Sequence, residues 1–518
     1  MRNFARAFAL LASSSLLLAS CSEIDGQDDG FSVVSATETS SVSFNSAHPV
    51  FQVSPTTRTV VIDGVEQGAR VFVARVNPTS YAVSADTARF VESSSGIARE
   101  SARSVSGVSF GEEIFDDGIY GVTVDAEFEL SRAAAASVSG KISVSEGVSR
   151  GIVVDHAISN GSVSDFYAEN FVISAVGENC IVWMKSTSGA VYRARAIAEK
   201  FDAMCGFIRE SFGDECDGIF TSAGSCVPAG GISATGTFVN IVVYDIGGDY
   251  VSTGSGSIAG YFSSKDFYAE GIAKNTNAGK YIYIDEYFVM SRFELAVSTL
   301  AHEFQHMIHF YQKTVLRGVK SELWFNEMLS MLCEDLIQDK MGISDSNSPK
   351  NRLPRFIRDY SDCGLEFRSE LTLLSYSASY AFGAWLAREF GGIAVIGEMA
   401  KNAMTGMKSV TAAVGTVLGR DVSAEWILCQ YAQACVFNGE MEYDYPTFNQ
   451  HEGALSAIDL WKVGSRPTGP LFLGASDRHE IRPFGMTISE VGVAEGGSVL
   501  LSLNSEGSSA QEVFVFVK

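Results

Sequence analysis

The sequence predicts a multidomain α+β protein, and three observations carry that prediction. The chain has 518 residues, which at about 150 residues per domain suggests roughly three domains. Short alternating apolar runs broken by turn residues fill the segment 50–175, as the strands of a β-rich module do. From residue 193 onward apolar residues recur at helical spacing around two buried strands at 239–244 and 281–284, and strands followed by several helices make an α+β unit. With 46% apolar and 19% charged residues the composition is globular, which excludes a disordered or fibrous chain.

The chain opens with Arg2 and Arg6 ahead of an apolar run at 8–18, followed by Ala19, Ser20 and Cys21. A basic start, a short apolar core and small residues before a cut form an export signal, and the core is too short to cross ~30 Å of hydrocarbon. Leu18-Ala-Ser-Cys21 resembles a bacterial lipobox, which implies that residues 1–20 are removed and that Cys21 carries lipid. Membrane association is then through the N-terminal lipid only, at the bacterial cell envelope. Residues 21–48, rich in Ser, Asp and Gly, read as a flexible tether.

Residues 49–176 read as the N-terminal β-rich, sandwich-like region. Strands at 59–62 and 71–74 flank a turn at Asp63-Gly64, and 118–130 and 151–154 continue the style. Ser/Ala-rich stretches at 93–107 and 132–140 interrupt it as linkers. Residues 177–463 read as the main α+β domain, with a helix over 193–212 and buried strands at 239–244 and 281–284. Helices are expected at 291–312, 322–338, 377–390, 393–404 and 422–437, and residues 464–518, with β runs at 498–503 and 512–517, as a small C-terminal β module.

Lys and Arg number 38 against 61 Asp and Glu, a formal net charge of −23. Such a surface repels phosphate backbones, so nucleic acid is not an expected partner. Apart from Cys21 there are eight cysteines, Cys180, Cys205, Cys216, Cys226, Cys333, Cys363, Cys429 and Cys435. An even number in an exported chain permits disulfides, and the lack of a C-x-x-C pair argues against a cysteine zinc knuckle.

The chemistry concentrates in Thr299-Leu-Ala-His302-Glu303-Phe-Gln-His306. On a helix, residues four apart project from one face about 6 Å apart along the axis, so His302 and His306 can converge on one cation. Glu303 sits one step round, where it can reach a metal-bound water without ligating the metal; this is the zincin arrangement. Catalytic zinc takes a third protein ligand and keeps one position open. His309 fails as that ligand, since seven residues place it ~10 Å along the axis from His302. Glu327, in Leu323-Trp-Phe-Asn326-Glu327-Met328-Leu-Ser330, follows His306 by 21 residues, enough to turn and bring a second helix alongside.

HEFQH followed by WFNEMLS is similar to the gluzincin metallopeptidases, whose third ligand is the Glu of an Asn-Glu pair, and most similar to the hyicolysin-like ones. The resemblance covers roughly 195–440, and Met328 stands where that segment commonly has Gly. It implies a zincin, thermolysin-like α+β catalytic domain with a helical lower lobe and zinc held by His302, His306 and Glu327. Similarity to aminopeptidase N-type gluzincins adds two positions. Glu334, seven after Glu327, corresponds to a Glu that hydrogen-bonds a zinc-bound His, with a solvent-facing acid as the competing reading. Tyr376, ahead of a helix ending in Gly391-Gly392, corresponds to a Tyr that donates to the developing oxyanion; Tyr380 is the reserve, and packing is the competing role for both.

The expected activity is that of a lipid-anchored zinc endopeptidase acting on protein or peptide substrates, with Glu303 as general base. The strand near 281–284 is the expected edge for an extended peptide. The alternative is a surface ligand-binding lipoprotein with a vestigial protease fold. No G-x-M-E-N-like segment, the amine-binding feature of aminopeptidases, is present.

Overall fold

The computed structural model describes residues 32–34, 39–44, 49–54, 57–85, 88–90, 144–155, 166–222, 225–228, 236–248, 258–438, 448, 452–463, 469–473, 479–503 and 511–518. The export signal, Cys21, most of the tether, the Ser/Ala-rich stretches and the expected strand at 118–130 lie outside these residues.

The early strands are β1 (Ser32–Val34), β2 (Thr39–Ser43), β3 (Val50–Val53), β4 (Thr59–Val65), β5 (Arg70–Val76), β6 (Val83–Ala85) and β7 (Ala88–Phe90). A second group comprises β8 (Ser149–Asp155), β9 (Phe166–Val176), β10 (Cys180–Met184), β11 (Gly218–Ser222), β12 (Ser225–Pro228), β13 (Val239–Tyr244), β14 (Gly260–Phe262) and β15 (Lys280–Asp285). The last are β16 (His479–Ile481), β17 (Met486–Val493), β18 (Gly497–Leu503) and β19 (Glu512–Val517). The helices are α1 (Ala194–Phe212), α2 (Glu286–Ser291), α3 (Phe293–His309), α4 (Leu323–Met341), α5 (Leu353–Asp359), α6 (Thr372–Glu389), α7 (Ile393–Lys401), α8 (Gly406–Leu418) and α9 (Ala424–Phe437).

A six-stranded sheet in the order β14-β15-β13-β10-β9-β8 supports the site. Strands β10, β13 and β15 run parallel, and β14 is antiparallel to β15. One face packs Val182, Ile241 and Ile282 under α1 and α3, against Phe201, Leu300 and Phe304. The other face carries Trp183, Tyr244, Tyr281 and Tyr283 in a separate cluster. Burial on both faces explains why β13, apolar but for Asn240, and the Tyr281–Ile284 stretch of β15 show no polar alternation. The expected boundary at 176/177 falls inside this sheet: β9 turns directly into β10, its antiparallel partner, so the strands within 149–176 belong with this sheet.

The expected separation of an N-terminal and a C-terminal β module is also overturned. One sheet runs β1-β3-β19-β5-β17 and another β2-β4-β18-β7, so strands from both ends of the chain alternate. Val60, Ile62, Leu501 and Leu503 of the second sheet pack on Val71, Val73, Val513 and Val515 of the first. On the opposite face Phe72, Ala74, Phe514 and Phe516 join the main core, where Phe516 meets Phe437 of α9 with ring centroids 6.3 Å apart. The two modules are one sandwich, and its inner sheet is buried on both sides.

Two local details position the site. The expected long helix over 291–312 breaks at Arg292 (φ −142°, ψ 58°), starts again as α3 and widens into a π-turn over Phe310–Val315. Strand β15 lies between β13 and β14, so it cannot serve as the edge for a peptide; the edge beside α3 is β14. Gly260 allows that approach, because a Cβ there would lie 2.7 Å from the Tyr283 carbonyl oxygen and 2.8 Å from Thr299 Cγ2. Helices α5 and α8 were not expected from the sequence. The seven cysteines whose side chains are described are buried and unbridged, and no helix among the described residues is long and apolar enough to cross a membrane.

A chain ending at residue 468 loses β16, β17, β18 and β19, and exposes the β3 and β5 edges and the α9 surface. It is expected to lose the cooperative thermal transition of the full chain in calorimetry. An unchanged transition and unchanged protease resistance would mean that the C-terminal strands are an independent module.

Candidate active site

Helix α3 is buried along its length from Leu295 to His309, between the sheet on one side and α4 on the other. The interior position follows from the apolar residues that surround the polar ones, Leu300, Ala301, Phe304 and Met307, all at most 2% exposed. Helix α4 crosses it with Phe325, Leu329 and Leu332 in the same core. Polar groups buried at this contact need partners; most find one, but both Glu303 oxygens, Glu327 Oε1, Gln305 Nε2 and His309 Nδ1 have no hydrogen-bond partner among the described residues.

His302, His306 and Glu327 come together: one ligand atom from each lies within 4.8 Å of the others, a group that could hold a metal ion. His302 Nε2 is 3.0 Å from His306 Nε2 and 3.1 Å from Glu327 Oε2; His306 Nε2 is 3.5 Å from the same oxygen. The far nitrogens are spoken for. Glu334 Oε1 lies 2.8 Å from His302 Nδ1, and Asn326 Oδ1 lies 3.1 Å from His306 Nδ1. An acceptor opposite each Nδ1 holds the proton there and turns both Nε2 lone pairs toward Glu327.

Such a focus of lone pairs and carboxylate charge demands a cation, and the electrostatics express that demand. Burial disfavours a charged His302, yet hydrogen bonds to Glu327 and Glu334 overcome it and push the imidazole up to about 10. Burial likewise opposes a charged Glu327, but the His306 imidazole and the hydrogen bond to His302 hold its carboxyl down to about 2. Glu327 Oε1 is buried with no hydrogen-bond partner among the described residues. Two imidazole nitrogens and a carboxylate with one orphaned oxygen, all at one point, match the donor set of a zinc site with an open position.

Glu303 is wholly buried, and neither carboxylate oxygen has a hydrogen-bond partner among the described residues. Burial pushes its carboxyl up to about 7, against the pull of the His302 and His306 imidazoles. Desolvation therefore outweighs local attraction here, the reverse of Glu327.

Glu334 is buried, not a surface acid; its second oxygen accepts from Ser298 Oγ at 2.5 Å. His309 is drawn away from the cluster, with Nε2 2.7 Å from Ser321 Oγ. Tyr380 is committed elsewhere: its hydroxyl donates to Asp335 Oδ2 at 3.1 Å, beside a buried Asp335–Arg388 pair at 2.8 Å. The Tyr376 ring is buried against Phe367, edge to face at 5.3 Å, and under the Arg352 guanidinium at 4.9 Å. Met328, the unusual residue after Glu327, fits because α6 carries Gly383 opposite it; a Cβ at 383 would lie 2.6 Å from Met328 Cγ.

Sequence reasoning missed Ser298, Asn326 and Ser330 as supports. Ser330 Oγ donates to Gln305 Oε1 at 2.5 Å and lies 3.1 Å from His306 Nδ1. The signal that could have found them was spacing: 298 and 302, and 326, 327, 330 and 334, share helix faces. Glu334→Gln is expected to weaken zinc binding at least about tenfold, the usual cost of removing such a partner, in competition with a chromogenic chelator. An unchanged affinity would show that Glu334 does not orient His302.

Residues 222–441 match the Peptidase M30 family. A segment of 223 residues is 28% identical to the neutral metalloprotease ShpI of Staphylococcus hyicus, covering 41% of this chain and 46% of that protein. The match thus spans about half the length of the curated relative, and the sandwich and strands β8 to β10 lie outside the family segment. Residues 222–441, which carry the whole His-His-Glu cluster and its supports, are thus similar to the hyicolysin-like metallopeptidases of the M30 family.

Proposed function

We propose that the chain is a zinc-dependent endopeptidase, exported and held at the cell envelope by lipid on Cys21. The observation that carries the catalytic reading is the convergence of His302, His306 and Glu327 with the unpartnered carboxylate of Glu303 one residue from the first ligand. A buried carboxylate without a hydrogen-bond partner costs stability, so folding alone gives no reason for Glu303 to be there. That cost favours a catalytic site over a vestigial one.

In this reading His302, His306 and Glu327 hold the zinc, with Glu334 and Asn326 fixing the two rings. Bound zinc supplies Lewis-acid chemistry, acidifying a water and polarising the scissile carbonyl. Glu303 accepts the proton of the attacking water and returns it to the departing amine, the work of a general base whose pKa lies near neutrality. Tyr376 donates a hydrogen bond to the oxygen that gains charge. The peptide lies extended along β14, which pairs with β15 on one side and has no partner strand on the other among the described residues.

A chelator is expected to abolish cleavage of a denatured protein, and zinc to restore it. Glu303→Gln is expected to retain zinc and lose activity by about 10²-fold or more, whereas Glu327→Ala loses both. A Glu303→Gln variant that cleaves as fast as the parent overturns the mechanism; full zinc occupancy in Glu327→Ala overturns the ligand assignment. Cys21→Ser is expected to move the protein from the membrane fraction to the soluble one, and an unchanged distribution argues against the lipid anchor.

A further inference from the structure

A small cavity adjoins His302. Its walls are Thr299 and Leu295 of α3, Glu334 of α4, and Pro349, Asn351 and Arg352 from the turn that leads into α5. Arg352 and His302 are the two basic side chains that line the cavity. The same guanidinium stands 4.9 Å over the ring of Tyr376, whose far neighbour Phe367 meets it edge to face at 90°. The ring is thus clamped between a cation on its face and an aromatic neighbour, wholly shielded from solvent.

The clamp has a rigid base. Ser348 caps the turn by accepting from the Lys350 amide at 3.3 Å, and Lys350 Nζ donates to Ser456 Oγ at 2.6 Å. Ser456 also offers its carbonyl to Arg388 on α6 at 2.8 Å. Arg352 and Tyr376 therefore hang from two segments tied to a common third one, which fixes the distance between them.

We propose that Arg352, which lines the cavity beside His302, is a positioning residue for peptide hydrolysis, holding the Tyr376 ring behind that wall by a cation–π contact. The inference rests on the reading of Tyr376 as the oxyanion donor and extends it. A tyrosine has two rotatable side-chain bonds before its hydroxyl, so a donor aimed at a transient charge needs its ring held by something other than that charge. An arginine does this from the ring face, where the quadrupole is negative, and leaves the hydroxyl edge clear. Positive charge on the face also withdraws electron density from the phenol, which makes the hydroxyl a better donor.

The test uses the full zinc-loaded chain and four variants, with kcat and KM measured separately on one peptide. Tyr376→Phe is expected to lower kcat about 10²-fold, the scale of one lost oxyanion donor. Arg352→Gln is expected to lower kcat about tenfold with KM nearly unchanged, the scale of a partly desolvated cation–π contact. The double variant is expected to be no slower than Tyr376→Phe alone, and Arg352→Lys, which keeps a cation, to recover part of the loss. Zinc content and melting temperature identify any variant that has failed to fold, and Arg352→Lys then carries the comparison. Losses that multiply in the double variant, a change confined to KM, or full activity in Arg352→Gln overturns the inference while leaving the endopeptidase reading intact. Full activity in Tyr376→Phe overturns the oxyanion role and the inference with it, whereas chelator-resistant or absent cleavage by the parent strikes the reading of the site itself.

Discussion

The site depends on where two protons sit. Each imidazole has its Nδ1 opposite an acceptor, Glu334 for His302 and Asn326 for His306, and only that arrangement leaves both Nε2 lone pairs facing Glu327. With the opposite tautomer on either ring the cluster would present an N–H to a cation and could not hold it. Both acceptors belong to α4 while both rings belong to α3, so the chemistry requires a fixed separation and rotation of two helices. Three carboxylates and two imidazoles in a buried contact of this kind would be costly if loosely held. Ser298, Ser330 and Gln305 reduce that cost by engaging the oxygens and nitrogens that face away from the cluster.

The remainder of the fold can be understood as what fixes those two helices. The sheet backs α3 so closely at β14 that residue 260 has no room for a side chain. On the other side α6 presses on α4 through Gly383 and Met328. The consecutive acids Glu334 and Asp335 divide their work: one faces His302, the other binds Arg388 through both carboxylate oxygens. A buried ion pair of this kind is a poor source of net stability but a strict determinant of geometry, because breaking it leaves a charge without a partner. It sets the rotation of α4 about its axis, and hence the direction of Glu334.

What could be read from the sequence follows from how local each signal is. His302, Glu303 and His306 lie within five residues on one helix, so spacing alone brings the two histidines to one face and sets the Glu beside them. Glu327 lies on a different helix and was legible only through the resemblance of its segment. Asn326, Ser298 and Ser330 carried a spacing signal too, but serine and asparagine on a helix have many ordinary roles, and nothing local marks which of them faces a histidine. Helix α8, Gly406–Leu418, was missed because its two glycines and its β-branched residues weaken helix propensity; tertiary burial of Val410 and Val414 decides it. The strand at 281–284 was found, yet whether it was an edge depended on β14, whose three residues give too short a pattern to read.

The division into terminal β modules failed for a reason the sequence did contain. β19 reads Val513-Phe-Val-Phe-Val517 with no polar alternation, and a strand apolar on both faces needs a cover on both. A small sandwich at the end of the chain offers one inner face only. The second cover had to come from elsewhere, and it is α9 with the main core on one side and β4 with β18 on the other. The position of β19 between β3 and β5 then has a consequence for assembly. More than 400 residues separate the paired strands Val53 and Val513, so the sandwich closes only after residues 512–517 have been made, and the loop-closure entropy of that contact falls due before its burial is gained. Because the same sheet completes the core under α9, the helices around the site lack their full cover until then. Completion of the cover over the site is thereby coupled to synthesis of residues 512–517.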